Sequence, residues 1–155
     1  MTPRFVLDEN IVICGQMEIN VQGHRDLTCA RLVAQIIEIC HTLVLDVPLW
    51  ETYLQQLNKP LHQNPESGSV LIRVLVNAFQ RQDKVDFRAA SAAFPEEDTI
   101  PLGSQDDIPL VRLAVAAGAI LVTTDRPLRD GLISCGVQEQ YHLQLLSPEQ
   151  ALALL

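Results

Sequence analysis

The sequence predicts an α/β domain of three layers, a central and mostly parallel sheet with helices on both faces. Two observations carry this. Short apolar runs that read as buried strands alternate with longer segments in which apolar residues recur at helical spacing. Two of those runs also stop abruptly at a carboxylate, as a parallel strand does where it reaches the carboxyl edge of its sheet. At 155 residues the chain is expected to form one domain, with a core that needs no disulfide or metal to hold it.

The first run, Arg4 to Leu7, ends at Asp8-Glu9-Asn10 and is expected to be a strand, followed by a loop containing Gly15 and Gly23. From Leu27 to Ile39 the residues Leu27, Ala30, Val33, Ala34, Ile36, Ile37 and Cys40 keep a helical period, with Asp26 placed to cap. TLVLDV, 42 to 47, is a second strand, and Pro48 opens a short helix, PLWETYLQQL, where its missing N–H costs little. The polar stretch from Asn58 to Gly68, broken by Pro60 and Pro65, reads as a loop, and Ser69 to Arg81 as a helix with a wide apolar face. Residues Asp86 to Gly103 read as irregular apart from a short strand or turn. Ser104 and Asp107 then resemble a capping box for the helix IPLVRLAVAA, which stops at Gly118. AILVTT is a buried strand ending at Asp125, RPLRDGLISCG a short helix and YHLQLL the last strand. Ser147-Pro148-Glu149-Gln150 caps a terminal helix.

Composition narrows the function. With 19 Asp and Glu against 11 Lys and Arg the formal charge is −8, and the only lysines are Lys59 and Lys84. A broad basic surface for nucleic acid is excluded, and seven aromatics make a base-stacking platform unsupported. Cys14, Cys29, Cys40 and Cys135 have no CxxC spacing and are expected to act as small core hydrophobes; His24, His41, His62 and His142 fit ordinary surface or capping roles. No stretch has the length of a membrane span, and no secretion signal opens the chain, so a cytoplasmic, thiol-reduced protein is expected.

The charge that remains is a question of where the acids fall. Asp8 and Asp125 each follow a strand, and Glu51 sits in the first turns of the helix after the second strand, so topology alone groups these three at one crevice. Asp107 joins them if the long loop before it folds over that edge. Helical counting puts Asp107 on the face of Val111 and Ala114, whereas Asp106 leads to Pro109 and the outer side. Taken singly, each acid has an ordinary explanation as a helix cap, a dipole partner or a solvated side chain.

Three blocks, LDEN at 7 to 10, WETYL around Glu51, and DIPLVRLAVAAGAILVTTD from 107 to 125, resemble the acidic signature of the PIN domain family of metal-dependent ribonucleases. The last is the most specific, with Asp107, Ala114, Thr123 and Asp125 at the spacing of the family's D…A…TxD pattern. The resemblance places the acidic quartet on Asp8, Glu51, Asp107 and Asp125, with Asn10 and Thr123 as polar residues supporting it. Glu9 departs from the family, which has a small residue there.

This resemblance implies hydrolysis of RNA phosphodiester bonds with Mg2+ or Mn2+, the hard cations that oxygen ligands select. Asp8, Asp107 and Asp125 would bind the metal, and Glu51 would be a ligand or align the attacking water. Arg126 is adjacent and could contact a phosphate, or could simply be solvated. Small members of the family act as toxins restrained by an antitoxin protein that covers the cleft, and they form homodimers. A partner-binding module that has lost activity is the alternative. A receiver-like phosphoacceptor domain would need a lysine after a late strand, and neither lysine is placed there.

Overall fold

Alternating side chains of a strand point to opposite faces of a sheet, so a strand buried at every position lies in a sheet covered on both sides. Phe5, Val6 and Leu7, then Leu43, Val44 and Leu45, then Ile120, Leu121 and Val122 are consecutive and buried. A computed structural model of the chain, which describes residues 2–17, 22, 24–39, 41–57, 77, 81, 83–101 and 107–155, shows the resulting architecture. The strands are β1 (Arg4–Leu7), β2 (Thr42–Asp46), β3 (Val85–Arg88), β4 (Ile120–Val122) and β5 (Leu145–Leu146). All pair in parallel, in the order β3-β2-β1-β4-β5. The fold is therefore α/β, and the order reverses between β1 and β4, the switch point at which open parallel sheets leave a crevice.

The helices are α1 (Glu9–Met17), α2 (Thr28–Glu38), α3 (Val47–Leu57), α4 (Ile108–Ala117), α5 (Arg126–Ser134), α6 (Val137–Gln140) and α7 (Pro148–Leu154). α1 packs on α2 and α3, α2 on β2 and α7, and α4 on β1 and β2. The expected helices at 27–39 and 108–117 are present, the first as Thr28–Glu38 with the Asp26 carboxylate accepting from the Thr28 N–H at 2.8 Å. Gly118 ends α4 at φ 59°, a left-handed conformation that glycine adopts without a Cβ penalty. The expected capping box at the C-terminus forms, with Ser147 and Gln150 bonding reciprocally across 3.2 and 2.9 Å.

Four expectations are corrected. Residues 9–17 form α1 rather than a loop, because the apolar Ile11 and Val12 are buried and Gly15 sits against the backbone of Ala30 on α2. β2 ends at Asp46, and Val47 already belongs to α3. In 86–103 the expected short strand is present, as β3 from Val85 to Arg88, and the correction is a 3-10 helix, Pro95–Thr99, in the stretch read as irregular, tied down where the Glu97 carboxylate takes both arms of the Arg112 guanidinium at 2.7 and 2.5 Å. Of YHLQLL only Leu145 and Leu146 pair as strand, since Tyr141 and His142 make a turn. The expected loop at 58–68, all of the expected helix at 69–81 except Asn77 and Arg81, and Ser104 lie outside the described residues. Among the described residues no helix is long and apolar enough to cross a membrane.

Candidate active site

β1 and β4 place the centre of the site. Their register pairs Leu7 with Val122, and the next step sets Asp8 beside Thr123, with the Asp8 N–H donating to the Val122 carbonyl at 2.9 Å. Both side chains are buried, and the Thr123 hydroxyl donates to Asp8 Oδ2 at 2.6 Å. The same hydroxyl accepts from the Asp125 N–H at 3.0 Å. Asp125 in turn caps α5, its Oδ1 accepting from the Leu128 N–H at 3.0 Å. One threonine thus links two acids. The Asn10 backbone N–H points at Asp8 Oδ1 across 3.5 Å.

Burial lifts the Asp8 carboxyl above its ordinary value; hydrogen bonds from Thr123 and from the backbone oppose this, and the Asp125 charge adds to it. Asp125 is thus close enough to act on Asp8 electrostatically.

A cleft of about 430 Å³ opens beside Asp8. Its floor and walls include Asp8, Glu9, Asp46 and Asp107, with Thr52, Gln55 and Gln56 from α3 and Pro109 and Leu110 from α4. Asp107 stands at the N-terminal boundary of α4 and lines the cleft together with Asp8; the loop expected to carry it there lies outside the described residues. Val111 and Ala114, which share its face, are fully buried.

The structure therefore gathers Asp8, Thr123 and Asp125 by hydrogen bonds and charge, and Asp8 with Asp107 around the cleft. It does not bring Glu51 into either set. Glu51 is exposed on α3, a step of about 100° around the helix from Thr52, and is not among the cleft-lining residues. Asn10 is half-buried and Arg126 exposed.

Two neighbours of Asp8 were not anticipated from the sequence. Asp46 ends β2 and is as buried as Asp8, each 3% exposed. Its signal, an acid terminating an apolar run, was present, but carrying the strand on to Val47 placed it inside the strand. Tyr53, fully buried on α3, donates its hydroxyl proton to the Leu7 carbonyl. Burial holds its phenol well above the usual range, and the charges of Asp8, Asp46 and Glu9 add to this.

All these donors are hard oxygens, the chemistry that Mg2+ or Mn2+ takes. Among the described residues no three His, Cys, Asp or Glu side chains form a group that could hold a metal ion by themselves. The residues fit a cation held by one or two carboxylates, with water and a substrate phosphate completing its shell, the usual arrangement for Mg2+.

The fold has a solved counterpart. The chain is similar to VapBC2 from Rickettsia felis, whose structure is of the protein bound to a DNA fragment from their promoter. The TM-score is 0.54 over 93% of this chain and 98% of that one, at 12% sequence identity. A likeness at that identity is one of fold. No protein-family model matches the chain, and no curated protein matches it by sequence.

Proposed function

We propose that this protein is a divalent-metal-dependent endoribonuclease and the toxin of a toxin–antitoxin pair. The observation that carries the reading is the linkage of Asp8, Thr123 and Asp125 at the switch point, next to an acid-lined cleft. Asp8 also receives the Asn10 N–H at the start of α1, a task a neutral cap would fill as well, so capping accounts for its place and not for a buried acid beside Asp125.

One or two of Asp8, Asp107 and Asp125 would hold the cation. When bound, the cation supplies a water nucleophile at neutral pH and a counter-charge for the oxygens of the phosphorane. Thr123 would fix the orientation of Asp8 by donating to Oδ2, on a residue that lines the cleft. Thr52, Gln55 and Gln56 offer neutral hydrogen-bonding groups along the wall that RNA would follow. Arg126, exposed beside Asp125, would be free to meet a phosphate outside the cleft.

That VapBC2 was solved on DNA from its own promoter fits a chain that works with an antitoxin partner able to bind DNA. The sequence resemblance to the PIN family is what suggests a homodimer. A second reading, an inactive fold that only presents a surface to a partner, draws on the lack of a three-acid group among the described residues.

Purified protein incubated with structured RNA and Mg2+ decides between them. Cleavage should stop in EDTA and fall at least about a hundredfold in Asp8→Asn and in Asp125→Asn, the scale of losing several kcal/mol of charge stabilisation. Cleavage unchanged in both variants overturns the proposal.

A further inference from the structure

We infer that Cys14 and Cys29 form a redox pair, a dithiol that a hydroperoxide converts to a reversible disulfide pinning α1 to α2. The crossing of these two helices carries it. The peptide bond between Cys29 and Ala30 packs on Gly15, with the Cys29 carbonyl carbon 3.5 Å and the Ala30 nitrogen 3.3 Å from where a Gly15 Cβ would stand. Cys14 and Cys29 each precede a residue of that contact, and their thiols meet beside it in a hydrogen bond. A disulfide requires backbones close enough for the two sulfurs to bond, and this crossing supplies that.

Cys29 belongs to the buried core and Cys14 packs against it, as expected of small apolar side chains. Alanine or valine would serve such packing too, whereas two facing sulfurs bring a chemistry those lack. The two thiols also differ. Cys14 is half-buried and Cys29 only 8% exposed. The hydrogen bond with Cys29 holds the Cys14 thiol below its usual range, against burial and the charges of Asp26 and Asp8. The same bond, with burial and the charges of Cys14, Glu149 and Asp26, pushes the Cys29 thiol up. A more accessible thiol with thiolate character beside one that keeps its proton is the order of a nucleophile and its resolving partner.

The Cys14 thiolate attacks one oxygen of hydrogen peroxide and the O–O bond breaks, leaving a sulfenic acid and a hydroxide that takes up the proton Cys14 released. Cys29 then attacks that sulfur: the S–S bond forms, the S–O bond breaks, and the departing hydroxide leaves as water with the Cys29 proton. The dithiol gives up two electrons and the peroxide takes both. The bond fastens α1, the helix whose first residue, Glu9, follows Asp8 directly.

The full chain, reduced and then freed of reductant, is treated with hydrogen peroxide in EDTA, and its cysteine pairing is mapped by mass spectrometry of unreduced peptides. The product should be monomeric and lighter by two hydrogens, with Cys14 linked to Cys29 and both thiols restored by dithiothreitol. It should melt about 5–10 °C above the reduced form, the scale of closing a loop of about 15 residues. Cys14→Ser and Cys29→Ser should lose this shift and Cys135→Ser keep it. The link is read on the wild type, so a variant that does not fold leaves the test intact. Before oxidation, iodoacetamide should label Cys14 at least about tenfold faster than Cys29. The inference is overturned by cysteines oxidised singly without a link, by pairing with another cysteine or between chains, by an oxidised form that melts no higher than the reduced one, or by Cys29 labelling first. None of these outcomes depends on whether the protein cuts RNA.

Discussion

Thr123 has no charge, yet it ties Asp8 to Asp125. Its hydroxyl proton goes to Asp8 and its oxygen takes the Asp125 N–H, so Thr123→Val removes a bond to an ionised group and orphans a backbone donor. A cost of about 1–3 kcal/mol is expected from such a loss. With the donor gone the Asp8 carboxyl should rise further, and the acid limb of Mg2+-dependent cleavage should move to higher pH; a pH–rate profile with an unmoved limb would contradict this. Asp8 itself should carry a cost in stability. Its carboxyl, raised by burial, holds its proton more tightly folded than unfolded, so ionisation destabilises the fold as pH rises from the unfolded to the folded value and uniformly above it. In EDTA, Asp8→Asn should therefore melt a few degrees higher than wild type at pH 7, and that gain should vanish near pH 3, where the wild-type carboxyl is protonated. Melts across that range check it, and a variant that melts lower than wild type at pH 7 would refute it.

At the scale of elements, α1 is where local preference and packing disagree. Glycine inside a helix is unfavourable by about 1 kcal/mol, and Gly15 reads as a break for that reason. In the fold it is a point of close approach between α1 and α2, where a Cβ would stand 3.3 Å from the Ala30 nitrogen and 3.5 Å from its Cα. Backbone atoms cannot swing aside as a side chain can. Gly15→Val should push the helices apart and cost about 1–3 kcal/mol, read as a lower denaturation midpoint with an unchanged slope; a variant as stable as wild type would show that the helices have slack. The strands, by contrast, were legible, because β1, β2 and β4 are continuous apolar runs and a run buried on both faces has no other home. β3 was harder, since Asp86 and Arg88 interrupt its apolar residues and are bound to each other at 3.0 Å. The 3-10 helix at Pro95–Thr99 depends on Arg112, fifteen residues beyond Glu97, and a tie of that kind leaves no periodicity to read. The candidate site divides the same way. Asp8 and Asp125 could be placed from the ends of their strands, whereas Asp46 was not read as a strand end because α3 starts at Val47, one residue earlier than Pro48, which no pattern marks.

Across the whole molecule the charge constrains how RNA could be held. The net charge is −8, the cleft is lined by Asp8, Glu9, Asp46 and Asp107, and no lysine or arginine stands among the lining residues. Arg4 and Arg88 are engaged with Asp86, and Arg112 with Glu97, so these three cations are committed within the fold. A protein that grips nucleic acid through six to ten phosphate contacts loses about 10³–10⁵ in affinity between 50 and 200 mM salt, because each contact releases counterions. Here few such contacts can form, and monovalent salt would also screen the long-range repulsion between an acidic surface and RNA. The Michaelis constant for Mg2+-dependent cleavage should then weaken by less than about tenfold over that salt range, and RNA binding in EDTA should be negligible. Kinetics in a potassium chloride series at fixed Mg2+ measure the slope. A steep fall would mean that a basic track carries the binding, and would overturn the idea that RNA is held locally through the metal rather than along the surface.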